Sequence, residues 1–236
     1  MYGKKFEEIN TKQKIKYQKN KSYSLARIFC EKEYSLFKLV LLDDKSISIK
    51  EKNLLLITET SNKIISSAYM KKSQIFLNKS ISKIYYVCFQ QKKIALNISI
   101  LKENKIKEVL KIKNIYNKNN QKKYWGNMVT LLKNKKGSVK IINMLKNTQS
   151  SMEFHINKKE SYFICSGRLK LGLRYSRAKQ KSLFLNKNDS FLMKPGTMHM
   201  RMSIKDTFIL EMSSKDEDND SIIVEDGLKY NFHEIK

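Results

Sequence analysis

The feature that most restricts the fold is a succession of short apolar or alternating runs, each closed by a small polar cluster. After Tyr23 the chain reads SLFKLVLL, SISI, KNLLLITET, KIISSAYM, SQIFLN and SKIYYVCF, divided by DDK, KEK, SNK, KKS and NKS. Brief runs with a period near two and turn residues at both ends are the mark of β-strands, because helices need longer stretches with a 3.6-residue period. The texture resumes further on in WGNMVTLL, GSVKIINML, SSMEFHI, ESYFICSG, RLKLGLRY, KSLFL, SFLMK, MHMRMS, TFILEMS and SIIVEDG. About twenty short strands at such spacing describe an all-β protein of sandwiches or barrels rather than β-α-β units. Seven glycines and one proline are few for so many turns, but the chain holds twenty asparagines. Asparagine tolerates positive φ better than other non-glycine residues, so it can take over many of these positions.

The 236 residues suffice for two small domains, each with a core. Residues 1–22 are polar and lack apolar periodicity, which predicts an N-terminal arm or short helix. Residues 23–116 are expected to form a first β-barrel, ending in a hairpin that turns at Glu103 and Asn104. The polar stretch 117–123, NKNNQKK, is the expected linker, and residues 124–236 the second β-domain.

Composition narrows the function. No window approaches the roughly 20 apolar residues of a membrane span, and the first residues lack the apolar stretch of a signal peptide, so a cytoplasmic protein with no membrane partner is expected. Cys30, Cys88 and Cys165 sit singly in apolar runs without metal-type spacing and read as buried free thiols. The net charge of +26 raises the question of nucleic acid. Only five of the 48 basic residues are arginine, the residue suited to bidentate recognition, and the lysines are spread over the whole chain. A solvated lysine-rich surface is the expectation, and its field favours small anionic ligands.

One constellation carries chemistry. In a strand, residues two apart share a face, so Glu153 and His155 of MEFHI project together. Glu160 opens the next strand after the INKK turn, and His199 begins another behind Pro195-Gly196. Two imidazoles and two carboxylates converging in a barrel make a donor set for one divalent ion, Zn, Mn, Fe, Ni or Co. By strand period Tyr162 and Arg201 face the same interior as Glu160 and His199. His233, in the polar tail, is expected at the surface.

These residues resemble the cupins, a superfamily of double-stranded β-helix (jelly-roll) barrels. The first cupin motif is Gly, five residues, His-x-His, three or four residues, Glu, six residues, Gly; Asn147, Glu153, His155, Glu160 and Gly167 stand at those places. The second motif resembles NDSFLMKPGTMHMRMS, with Gly196 and His199 in register. Asn147 and Asn188 replace glycines, Pro195 is one place late, Ser203 replaces the last Asn, and Glu153 replaces the first His. Within the superfamily, residues 122–230 are similar to the cupin domain of type II mannose-6-phosphate isomerases. For residues 23–112 the strand texture is like that of a second, degenerate barrel that has no histidine.

The resemblance implies a metal-dependent aldose–ketose isomerase or epimerase of a sugar phosphate, with Glu153, His155, Glu160 and His199 on the metal. Tyr162 and Glu211 would be the proton-transfer candidates, with Glu153 a third should it leave the metal. Arg201, Arg174 or Arg168 would hold the phosphate, and a homodimer is implied. Two rivals share the fold: a metal-dependent oxygenase, and a carbohydrate-binding or structural protein without catalysis.

Overall fold

The apolar runs fold as strands in a computed structural model, which describes residues 11–12, 15–60, 63–71, 74–101, 113–114, 120–175 and 180–228. Among the described residues there is no α-helix, only one turn of 3-10 helix at Asp218–Asp220, and so no helix long and apolar enough to cross a membrane. The chain divides into two units, one within residues 14–118 and the other within residues 119–236 together with strand β1 (Thr11–Lys12).

The first unit contains β2 (Lys16–Lys19), β3 (Tyr23–Cys30), β4 (Ser35–Leu41), β5 (Ile47–Ile49), β6 (Leu54–Thr60), β7 (Lys63–Met70), β8 (Ile75–Leu77), β9 (Ile84–Phe89), β10 (Ile98–Ile100) and β11 (Lys113–Asn114). They make a seven-stranded sheet, β11-β7-β6-β9-β4-β3-β2, and a three-stranded one, β10-β5-β8. Leu25, Leu39, Leu56, Tyr85 and Val87 of the larger sheet join Ile47, Ile49, Ile75 and Leu77 of the smaller in one buried cluster. That interior is filled by aliphatic and aromatic side chains, as alternation on these strands requires.

The second unit adds β12 (Asn120–Lys123), β13 (Gly126–Asn134), β14 (Gly137–Met144), β15 (Met152–His155), β16 (Glu160–Tyr175), β17 (Lys181–Asn186), β18 (Ser190–Met193), β19 (Thr197–Ser213) and β20 (Ser221–Glu225). Its sheet runs β1-β18-β16-β19-β14-β13-β12, with β15 laid between β19 and β20, and β17 on β16. Two pairs of runs that read as separate strands are each continuous. ESYFICSG and RLKLGLRY form the 16-residue β16, and MHMRMS and TFILEMS lie within the 17-residue β19. Register shifts between Ile164 and Leu169 bend β16 without ending it. Gly167 sits in that bend at φ +89°, where an added Cβ would lie 2.3 Å from the Asp206 carbonyl oxygen.

The asparagines do take glycine-like positions. Asn147 and Asn188, which stand where the cupin motifs have glycine, have φ of +60° and +70°. Two expectations for the chain's punctuation change. Lys16–Lys19, assigned to the arm, pairs with β3, and Asn120–Lys123, assigned to the linker, pairs with β13. Strand propensity is low in both, so pairing with an apolar neighbour supplies the order that local sequence does not. The proposed turn at 103–104 and His233 lie outside the described residues. Cys88 and Cys165 are buried, Cys30 is half-buried, and all three are free thiols.

Candidate metal centre

Strand pairing assembles the site. β15 runs antiparallel to β19 with Glu153 directly opposite His199, and four residues separate His155 at the end of β15 from Glu160 at the start of β16. The turn between them wraps around Asp220. Its carboxylate accepts hydrogen bonds from the backbone N–H groups of Ile156 (3.0 Å), Asn157 (2.9 Å) and Lys158 (2.8 Å). Three amides converging on one buried anion form a charge-assisted nest that fixes the spacing of the two flanking side chains.

The imidazoles are aimed by their backbone contacts. His155 Nδ1 lies 3.1 Å from the Asp220 carbonyl oxygen, and His199 Nδ1 lies 3.1 Å from that of Thr197. A carbonyl only accepts, so each Nδ1 carries the proton and each Nε2 presents a lone pair. Both Nε2 atoms are buried without a hydrogen-bond partner. What faces them is carboxylate. Glu160 Oε1 is 3.2 Å from His155 Nε2, Glu160 Oε2 is 3.2 Å from His199 Nε2, and Glu153 Oε1 is 3.8 Å from His199 Nε2. Lone pairs gathered like this repel one another unless a positive charge enters. Glu153, His155 and His199 bring ligand atoms within 4.8 Å of one another, so this donor set fits a divalent cation, with Glu160 facing both nitrogens as a further oxygen.

Fixed charges surround the donors. Arg201, 6 % exposed, donates to Glu153 Oε1 at 2.8 Å, with its guanidinium 5.7 Å from the ring centres of both Trp125 and Tyr162. Ser221 Oγ donates to the other Glu153 oxygen. Lys158 Nζ lies 2.6 Å from Glu160 Oε1 and 3.6 Å from Asp216 Oδ1, which Lys140 also contacts at 2.7 Å. Tyr162 donates its hydroxyl hydrogen to Glu160 Oε2 at 3.1 Å.

The resulting shifts follow from these contacts. Burial disfavours the ionised Glu153, but the charges of Arg201 and then His199 outweigh it and hold the pKa below the ordinary range. Glu160 is lowered well below that range, because Lys158 and both imidazoles overcome complete burial. Glu211 is raised, by burial first and by the Glu160 charge second. Burial likewise raises Tyr162. For His155, burial opposes the charged form, yet the Glu160 carboxylate facing it prevails and raises it.

No family model matches the sequence, and no curated protein does. Solved structures match well. An oxalate decarboxylase structure addressing substrate binding mode aligns at TM-score 0.64 and 7% identity, over 92% of this chain and 79% of that one. A point variant of the Bacillus subtilis enzyme aligns at TM-score 0.64 and 8% identity over the same shares. Another, from work on the Mn(II) centres of that enzyme, aligns at TM-score 0.62 and 7% identity, again over the same shares. The fold is the cupin fold. At such low identity the likeness concerns architecture alone.

Within this fold the expected residues separate into two groups. Glu153, His155, Glu160, His199, Tyr162 and Arg201 meet at one site, with Glu211 at its back, 3.8 Å from Arg201 and 3.9 Å from Lys140. Arg174 and Arg168 stay apart from it. Arg174 pairs with Glu225 at 3.3 Å and donates to Met198 Sδ, and Arg168 is exposed with its guanidinium 4.5 Å over Phe184. Sequence reasoning overlooked Asp220, Asp216 and Lys140, and gave Lys158 no place at the site. Asp216 and Asp220 lie in the acidic run KDEDND, which reads as solvated loop. A hint was available: an acidic run just before a strand that pairs with the ligand-bearing segment can supply an anion to its turn.

Proposed function

We propose that this cupin is a divalent-metal enzyme acting on a small, oxygen-rich carboxylate, with the metal held by Glu153, His155 and His199 and joined by Glu160. The observation that carries this reading is the pair of buried, partnerless Nε2 atoms facing carboxylate oxygens. An ion held there would supply Lewis acidity to substrate oxygens. The chain's own groups do the rest. Glu153 is the most open donor, its side chain 21% exposed against 1–4% for the other three, so substrate arrives from its side. Arg201 keeps Glu153 ionised and puts a fixed positive charge beside that approach. Glu211, whose pKa burial raises, and the Tyr162 hydroxyl are the candidate proton donors within the wall.

Lyase or oxygenase chemistry on a carboxylate is favoured over sugar-phosphate isomerisation. The neighbouring solved structures are oxalate decarboxylases. An isomerase also needs an anchor for phosphate, and of its three expected arginines only Arg201 is at the site, where Glu153 already engages it. The test is a panel of small carboxylic acids and sugar phosphates, incubated with Mn(II)-, Fe(II)- or Zn(II)-loaded protein under air and under nitrogen. Metal-dependent consumption of a carboxylate, abolished by chelation and by His199→Ala, is expected. Turnover of sugar phosphates alone would establish the isomerase reading. Sugar binding by metal-free protein, without turnover of any compound, would establish a binding protein.

A further inference from the structure

Lys158 is an unusual neighbour for a cation site. It is 7% exposed, lies in the turn between two donor-bearing strands, and brings its ammonium to 2.6 Å from Glu160 Oε1. That oxygen is the one facing His155 Nε2 at 3.2 Å. A metal ion bonded to it would share a single oxygen with an ammonium, and two positive charges at such range in a buried setting repel strongly. A second acceptor stands nearby. Asp216 Oδ1 is 3.6 Å from the same ammonium and belongs to a carboxylate 7% exposed.

Resting on the metal reading above, we propose that Lys158 is a resident counter-cation that sets metal affinity by competing for Glu160. The ammonium pairs with Glu160 when the site is empty of metal and transfers to Asp216 when an ion enters. The ion therefore meets a three-donor seat, Glu153, His155 and His199, and gains Glu160 only by displacing the lysine. Lys158 acts here as a positioning residue: it governs whether Glu160 is a ligand and touches no reacting atom. Asp216 is its alternative berth, already carrying part of the Lys140 charge.

The experiment is calorimetric titration of Mn(II) and Zn(II) into the full chain, four single variants and one double variant, with folding checked by circular dichroism. Lys158→Met and Lys158→Gln remove the competing charge, and both are expected to bind at least tenfold more tightly than the unaltered chain. Lys158→Arg keeps the charge and is expected to stay within threefold. Asp216→Asn removes the berth and is expected to weaken binding at least threefold, an effect that disappears in the Lys158→Met background. A lysine that merely neutralises buried acids would not produce that dependence. Equal or weaker binding by the neutral variants would overturn the proposal while leaving the metal site standing. Should both neutral variants fail to fold, unchanged affinity in Asp216→Asn would overturn it. Failure of every protein, the unaltered chain included, to bind either ion would overturn the metal reading itself.

Discussion

The two units are built from the same material, short alternating strands in antiparallel sheets, yet their interiors differ in kind. In the first, the buried cluster is aliphatic and aromatic, and among the described residues the buried polar ones are serines, Thr58 and one acid, Glu59, which accepts a hydrogen bond from Tyr86. In the second, Lys140, His155, Lys158, Glu160, His199, Arg201 and Glu211 are all buried. The strand pattern that gives a barrel does not say what the barrel is for. Which residue types occupy the inward positions does, since each buried charge costs stability unless paired and is retained where it serves a site. The first unit spends its inward positions on packing, and the second spends many of them on chemistry.

The largest effects should come from one substitution in each unit. Leu56→Ala removes a side chain that is 1% exposed in the first core and should cost about 2–5 kcal/mol of stability. Metal affinity should change less than about twofold, because Leu56 packs within the first unit's own cluster, which contains none of the donors. His199→Ala should reverse the pattern, reducing metal affinity by more than about a hundredfold with little loss of stability in the metal-free chain. Denaturant melts and metal titrations on the two variants check both halves of the contrast; loss of metal in Leu56→Ala would mean the units are coupled.

Asp220→Ala comes next. It strips the acceptor from three turn amides and leaves His155 and Glu160 without a fixed spacing, so affinity should fall about 10–100-fold.

Acidity provides a further separation. The pKa values of Glu160, Glu153 and Asp216 are lowered in the folded chain, so their contribution is present above the ordinary carboxylate range and lost as pH falls through the depressed values. His155 is raised, so its contribution to the metal-free protein is present below the ordinary imidazole value and lost as pH rises through the raised one. Metal needs neutral imidazole. The thermal shift on adding metal should therefore grow as pH rises through the His155 transition; a shift that shrinks there would contradict the assignment. Smallest of all, Arg168→Ala should alter stability by less than about 0.5 kcal/mol and leave metal affinity unchanged, as expected for an exposed group outside the cluster.

Much of this was legible in the amino-acid sequence, for stated reasons. Period-two alternation revealed the strands, and strand period together with the resemblance to the cupin motifs suggested grouping Glu153, His155, Glu160 and His199. Asn147 and Asn188 were readable as turn residues because asparagine tolerates positive φ. Strand continuity was not legible, since the bulge at Gly167 and the polar KDT of β19 look like ends when seen without their partners. Nor were Lys158, Asp216 and Asp220. One lysine among so many carries no mark, and what distinguishes these three is a tertiary contact across 58–64 positions of chain. Residue type also gave no sign that Arg174 pairs with Glu225 or that Arg168 lies over Phe184.

The central claim is that one unit binds metal and the other only packs. Elemental analysis combined with native mass spectrometry of metal-saturated protein tests it directly. The account predicts one divalent ion per chain, lost in His155→Ala and in His199→Ala. Two ions per chain, or one that survives both substitutions, would contradict it.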